Sequence, residues 1–169
     1  MPYDPEALLR EAHSLLPEVV RLRRRIHRRP EIGLTLSHTQ CTIIEALGDL
    51  DLQITLGKQL SSVVAVLEGR SPGRTVLLRA DMDALKIRET TGLDYASEIE
   101  GAMHACGHDG HTAMLVGAAR QLDEPVQSGR GSARMAQDLR LKYDYYSRAG
   151  SRAIYNDRNS AAQAVSLIG

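Results

Sequence analysis

The chain has 169 residues, a formal net charge of zero, 43% hydrophobic residues and neither Trp nor Phe. Such a length suits one domain with an aliphatic core, and the balanced charge argues against a dedicated nucleic-acid binder, which needs excess Lys and Arg for phosphates. Cys41 and Cys106 are too few for a disulfide framework, no apolar leader opens the chain and no run approaches the roughly 18 apolar residues of a membrane span, so a cytoplasmic protein with neither nucleic-acid nor membrane partners is expected.

Asp4-Pro5 is a helix start, a cap acceptor followed by a proline at the first turn. Leu8, Leu9, Ala12, Leu15, Leu16, Val19, Leu22 and Ile26 then recur at helical spacing. The opposite side ends in Arg23, Arg24, Arg25, Arg28 and Arg29, a solvated basic face that suits the helix dipole. Pro30 stops this helix and Gly33 turns the chain. Ser37 or Thr35 can cap a second helix carrying Ile43, Ile44 and Leu47, with Cys41 inside it as a small hydrophobe.

Leu50 to Leu56 alternates apolar and polar residues, predicting a half-buried strand, and the β-branched run from Ser62 to Leu67 predicts one covered on both faces. Ser71-Pro72-Gly73 makes a turn into a third strand, Thr75 to Leu78, which leads through Arg79-Ala80 to Asp81 and Asp83. Helices and strands in this order describe an α/β fold with acids at a strand's carboxyl end, where such sheets place their sites. A loop region spans 86–103. From about Asp109, itself a candidate cap, Met114, Leu115, Ala118, Ala119 and Leu122 predict a helix.

After Glu124 the texture changes from acidic to basic, with no His and no Glu. Pro125, Ser128, Gly129, Gly131 and Ser132 read as a linker, and Met135, Leu139, Tyr143 and Tyr146 as a short helix. No strand is expected there.

The chemistry is concentrated in His104, Cys106, His108 and His111, an H-x-C-x-H-x-x-H string, with Asp81, Asp83 and Asp109 as nearby acids. A thiolate and an imidazole so close in sequence are ligands for zinc or another borderline divalent ion, oriented by a carboxylate behind them. Each residue has a plainer reading: loop or cap residues for His104, His111 and Asp109, a strand-end acid for Asp81, an unligated thiol for Cys106. A cysteine nucleophile is disfavoured, since nucleophile and base usually meet from separate elements.

At this point the stretch is recognisable. RRRIHRRPEIG at 23–33, SSVVAVLEG at 61–69, LLRADMDAL at 77–85, TGLDYAS at 91–97 and MHACGHDGHTAMLVGAA at 103–119 strongly resemble the amidohydrolase branch of the M20 metallopeptidase superfamily, which holds hippurate, N-acyl-amino-acid and indole-acetyl-amino-acid hydrolases. The resemblance implies an incomplete N-terminal portion of a metallohydrolase catalytic domain over 4–124, helices packed on a mixed sheet, then a non-family helical or disordered tail over 125–169. It implies a small-molecule N-acyl-amino-acid substrate cleaved to a carboxylic acid and a free amino acid, with a divalent ion (Zn, Mn, Ni or Co) as cofactor. Carried onto this chain, Cys106 and His108 are metal ligands, Asp83 is a catalytic acid orienting them, and Asp81, His104, Asp109 and His111 line the site.

The chain also departs from the pattern. Lys86 stands where the family has proline, and the FQPAEE-like segment, whose glutamates supply a general base and a ligand, has no counterpart. The expectation is therefore a truncated hydrolase with an unpaired sheet edge. The alternative is a catalytically inactive remnant that binds metal weakly.

Overall fold

A computed structural model of the chain describes residues 5–68, 74–128 and 139–146. The order is α1 (Pro5–Arg28), α2 (Ser37–Leu47), β1 (Gln53–Leu56), β2 (Val63–Leu67), β3 (Arg74–Asp81), α3 (His108–Ser128) and β4 (Leu139–Tyr146). The expected caps at Asp4, the turn at Ser71-Pro72-Gly73 and the linker residues Gly129, Gly131 and Ser132 lie outside the described residues.

The sheet is mixed, in the order β1-β2-β4-β3. β1 and β2 are antiparallel, β2 and β4 antiparallel, and β3 and β4 parallel, with Asp81 opposite Tyr146. β3, α3 and β4 thus form a βαβ unit, the connection that parallel neighbours require. α3 packs against α1, α2 and β3, making it the common neighbour of helices and sheet. The core is aliphatic, as the lack of Trp and Phe requires. Leu22 and Ile26 of α1, Ile43 and Leu47 of α2, Val63, Ala65 and Leu67 of β2, and Ala113, Val116 and Ala119 of α3 form one cluster.

Several expectations are corrected. The helix placed over Leu139, Tyr143 and Tyr146 is a strand, β4, in the interior of the sheet. Leu139, Leu141, Tyr143 and Tyr145 alternate with Arg140, Lys142 and Asp144, so the segment carries period two as well as helical spacing. Tyrosine's strand preference and pairing on both sides favour the extended form. The tail therefore supplies a strand. α3 runs through Pro125 to Ser128, so the first residues assigned to the linker are helical. The apolar stripe of α1 is narrower than expected, with Leu9 and Leu16 largely exposed. β2 buries one face fully and the other only partly. Cys41 is exposed, not packed as a hydrophobe.

The start of α2 is capped in an unexpected way. Its N-cap residue is Leu36 and makes no side-chain cap bond. The Glu31 carboxylate instead accepts bonds from the His38 and Thr39 amides (3.1 and 2.7 Å) and from the Thr39 hydroxyl (2.8 Å). A carboxylate reaching from before the turn satisfies orphan N–H groups and meets the positive end of the helix dipole. No helix among the described residues is long and apolar enough to cross a membrane.

Candidate metal centre

Asp81 closes β3, Asp83 follows two residues later, and α3 begins at His108, so acids and imidazole meet between a strand's carboxyl end and a helix N-terminus. The loop between them is pinned by backbone bonds. Ala84 donates to the Glu31 carbonyl (2.7 Å), and Leu85 and Met103 exchange a pair of bonds. Gly107 sits between the two candidate ligands at φ +83°. That left-handed turn is tolerated by glycine and strained for other residues.

Cys106 and His108 converge on one atom. The Cys106 thiol lies 3.6 Å from the Asp83 backbone oxygen, and His108 Nδ1 lies 2.9 Å from the same oxygen and 3.1 Å from Asp83 Oδ1. A carbonyl can only accept, so His108 Nδ1 carries a proton, and Nε2 is the nitrogen left to bind an ion. An imidazole held in this way, beside a thiol, has the donor chemistry of two corners of a borderline-metal site. Among the described residues no group of three or more His, Cys, Asp and Glu side chains is arranged to hold an ion. The donor chemistry, a thiol and an imidazole, suits a borderline ion at these two residues, with no third side chain joining them among the described residues.

The other expected site residues divide. His111 is exposed, its ring 6.0 Å from that of His108. The Asp81 carboxylate is taken by Arg79 at 2.6 Å, while its backbone oxygen accepts from Thr112 Oγ1 at 3.0 Å. His104 is buried, and neither ring nitrogen bonds to another described residue. Burial pushes its imidazole down to about 4; Asp109 opposes that shift, whereas His27 and His108 add to it. Asp109 is fully buried in the first turn of α3, but its partners come from α1. His27 Nδ1 lies 2.8 Å, and Arg23 Nε 3.1 Å, from its Oδ2.

From the sequence alone Glu89 has no role, Arg23 belongs to a solvated basic face and His27 stands only within the motif at 23–33; the structure joins all three. His27 is buried between two acids, with Nε2 3.3 Å from the Glu89 carboxylate. Burial raises the Glu89 carboxyl, but bonds from Thr91, Ser97 and His27 outweigh it and hold the group below its ordinary value. Besides that motif, the sequence signal is the position of His27, four residues after Arg23 and so on the same helix face.

Residues 77–137 match the model of Peptidase family M20/M25/M40. The chain is 41% identical over 115 residues to thermostable carboxypeptidase 1 of Saccharolobus solfataricus, covering 68% of this chain and 29% of that protein. It is 40% identical over 132 residues to an N-acyl-L-amino acid amidohydrolase of Geobacillus stearothermophilus, covering 76% of this chain and 35% of that one. Among solved structures it resembles the Bacillus subtilis YXEP protein, a dinuclear metal-binding peptidase of the M20 family. The TM-score is 0.70 at 28% identity, over 85% of this chain and 41% of that one. The chain thus spans about a third of the length of the relatives it matches. Motifs, fold and relatives agree: the chain belongs to the M20 peptidase family.

Proposed function

We propose that the chain carries part of a metal-dependent amidohydrolase centre that cleaves the amide bond of N-acyl-amino acids to a carboxylic acid and a free amino acid. The observation that carries this reading is the convergence of Cys106 and His108 on the Asp83 carbonyl. Cys106 and His108 would hold a divalent ion, zinc by the softness of a thiolate, with manganese, nickel or cobalt as the other candidates. Such an ion, when bound, polarises an amide carbonyl and acidifies water. Asp83 orients the His108 ring through its backbone oxygen and Oδ1, and Gly107 makes the left-handed turn between the two residues. The remaining ligands and a general base come from outside the described residues. A reducing compartment, the cytoplasm, suits both a thiolate ligand and the exposed Cys41 thiol.

A second reading, metal binding without turnover, is favoured by the lack of a third convergent donor among the described residues and of any glutamate after Glu124. The test uses the purified 169-residue chain with zinc, cobalt or manganese. Bound metal is measured by elemental analysis, and amine release from N-acetyl-amino acids and hippurate is followed alongside. We expect metal binding that is lost in Cys106→Ala and in His108→Ala, and no turnover by the chain alone. Turnover abolished by Cys106→Ala would remove the second reading. Metal binding untouched by both substitutions would overturn the site itself.

A further inference from the structure

We propose that His27 is a positioning residue for the metal loop, acting through Asp109 on the neighbouring His108; this rests on the site reading above. The Asp109 carboxylate is fully buried beside the start of α3, and a buried charge is costly unless paired. Its charged or hydrogen-bonding partners are Arg23 and His27, one turn apart on α1, both directed at Oδ2. Arg23 is half exposed, whereas His27 is buried and cannot exchange its bond for one to water.

His27 also faces the other way. Its second nitrogen meets Glu89, whose carboxylate takes the Ser97 amide at 2.7 Å and the Thr91 hydroxyl at 2.5 Å. The edge of its ring packs on Tyr95, 5.4 Å between centroids, and the Arg24 guanidinium covers Tyr95 at 4.7 Å. A ring bonded to a carboxylate at each nitrogen joins three segments: α1, the loop that runs to His104, and the turn that presents Cys106 and His108. Neither flanking acid carries a metal-ligand role here, so the histidine acts by fixing backbone position. Loss of its ring leaves Asp109 tied by the half-exposed Arg23 alone and loosens the first turn of α3, which Thr112 still holds to the Asp81 carbonyl. His108 moves with it.

The test measures Zn²⁺ affinity by chelator competition and the thiolate-to-metal absorption of Co²⁺ added to the full chain. His27→Gln is expected to weaken Zn²⁺ binding by at least about tenfold, within the range for outer-shell partners of a ligating imidazole. The Co²⁺ band should be reduced or shifted as well. Arg23→Gln, at a half-exposed side chain where water can take over part of the lost bond, keeps the proposal testable if His27→Gln does not fold, and should weaken binding several-fold. Arg120→Met is the control for a merely structural effect. It removes a guanidinium bound to Asp49, Ala46 and Glu18, about three turns along α3 from His108, and should lower stability with the Co²⁺ spectrum unchanged. Wild-type Zn²⁺ affinity and spectrum in folded His27→Gln, or in Arg23→Gln, overturn the proposal. If Cys106→Ala and His108→Ala also bind like wild type, the site reading has failed instead.

Discussion

His108 Nδ1 lies closer to the backbone oxygen of Asp83, at 2.9 Å, than to its carboxylate, at 3.1 Å. The main chain at the end of β3, not only the acid, therefore sets which nitrogen of His108 bears the proton. Removing the side chain should loosen the ring without releasing it. Asp83→Ala is expected to lower Zn²⁺ affinity about tenfold, and Asp83→Asn, which keeps an acceptor at Oδ1, by less. Chelator competition checks both. An Asp83→Ala chain as incapable of binding as Cys106→Ala would mean that the carboxylate, not the carbonyl, holds the site.

Glu31 anchors the opposite side of the same loop. Its carboxylate caps α2 while its backbone oxygen holds the Ala84 amide, so a side-chain substitution separates the two roles. Glu31→Ala should cost about 1–2 kcal/mol by urea denaturation, as for the loss of a strong cap. Glu31→Gln, which still accepts but carries no charge, should recover part of that. Equal stability of all three chains would show that water replaces the cap at no cost.

These cases show what the sequence could and could not announce. Cys106 and His108 were legible because one glycine separates them in a single loop, and β3 because its apolar run leads straight into the acids. The length of α1 was legible from Leu15, Val19, Leu22 and Ile26, but the burial of His27 was not. It sits among arginines, and its partner Asp109 is 82 positions away. The Glu31 cap was hidden for a similar reason, since it reaches over a turn past Ser37, the residue whose type suggested the cap. β4 was ambiguous by periodicity, and its neighbours β2 and β3 come from distant sequence.

Asp123 gives the pH dependence a definite sign. It is buried at 4% exposure, and burial raises its carboxyl above the ordinary 3.8, with Asp51 and Asp49 adding to the rise and the Asp51 amide and Arg120 opposing it. The folded chain therefore holds this proton to higher pH than the unfolded chain does. Its contribution to stability is greatest below the unfolded value and is lost as pH rises through the folded one. Asp123→Asn removes that loss, so the variant should gain stability over wild type between pH 3 and pH 7, seen as a widening difference in Tm. Asp49 runs the other way: its bond from Arg120 holds it below 3.8, and its contribution is lost as pH falls through the lowered value. A constant Tm difference across the range would contradict the raised carboxyl.

Gly117 of α3 lies against Val19 of α1. A Cβ built there would stand 2.7 Å from Val19 Cγ2, and valine, branched at Cβ, has little rotamer freedom in a helix with which to withdraw. Two effects oppose each other in Gly117→Ala. Helix propensity favours alanine by about 1 kcal/mol, whereas overpacking costs about 1–3 kcal/mol. The clash should win, because α3 touches α2 and β3 as well and cannot retreat from α1 without disturbing both. Val19→Ala alone should also destabilise, as it removes methyls from a partly buried position packed on the core. Combined, the two substitutions relieve each other: the new methyl of residue 117 fills space that Val19 vacates, and the propensity gain remains. The double variant should therefore be more stable than the sum of the single changes by about 1–2 kcal/mol in a denaturation cycle. Additive losses would mean that the helices separate freely, and α1 would then be a poor platform from which Arg23 and His27 could hold Asp109 in place.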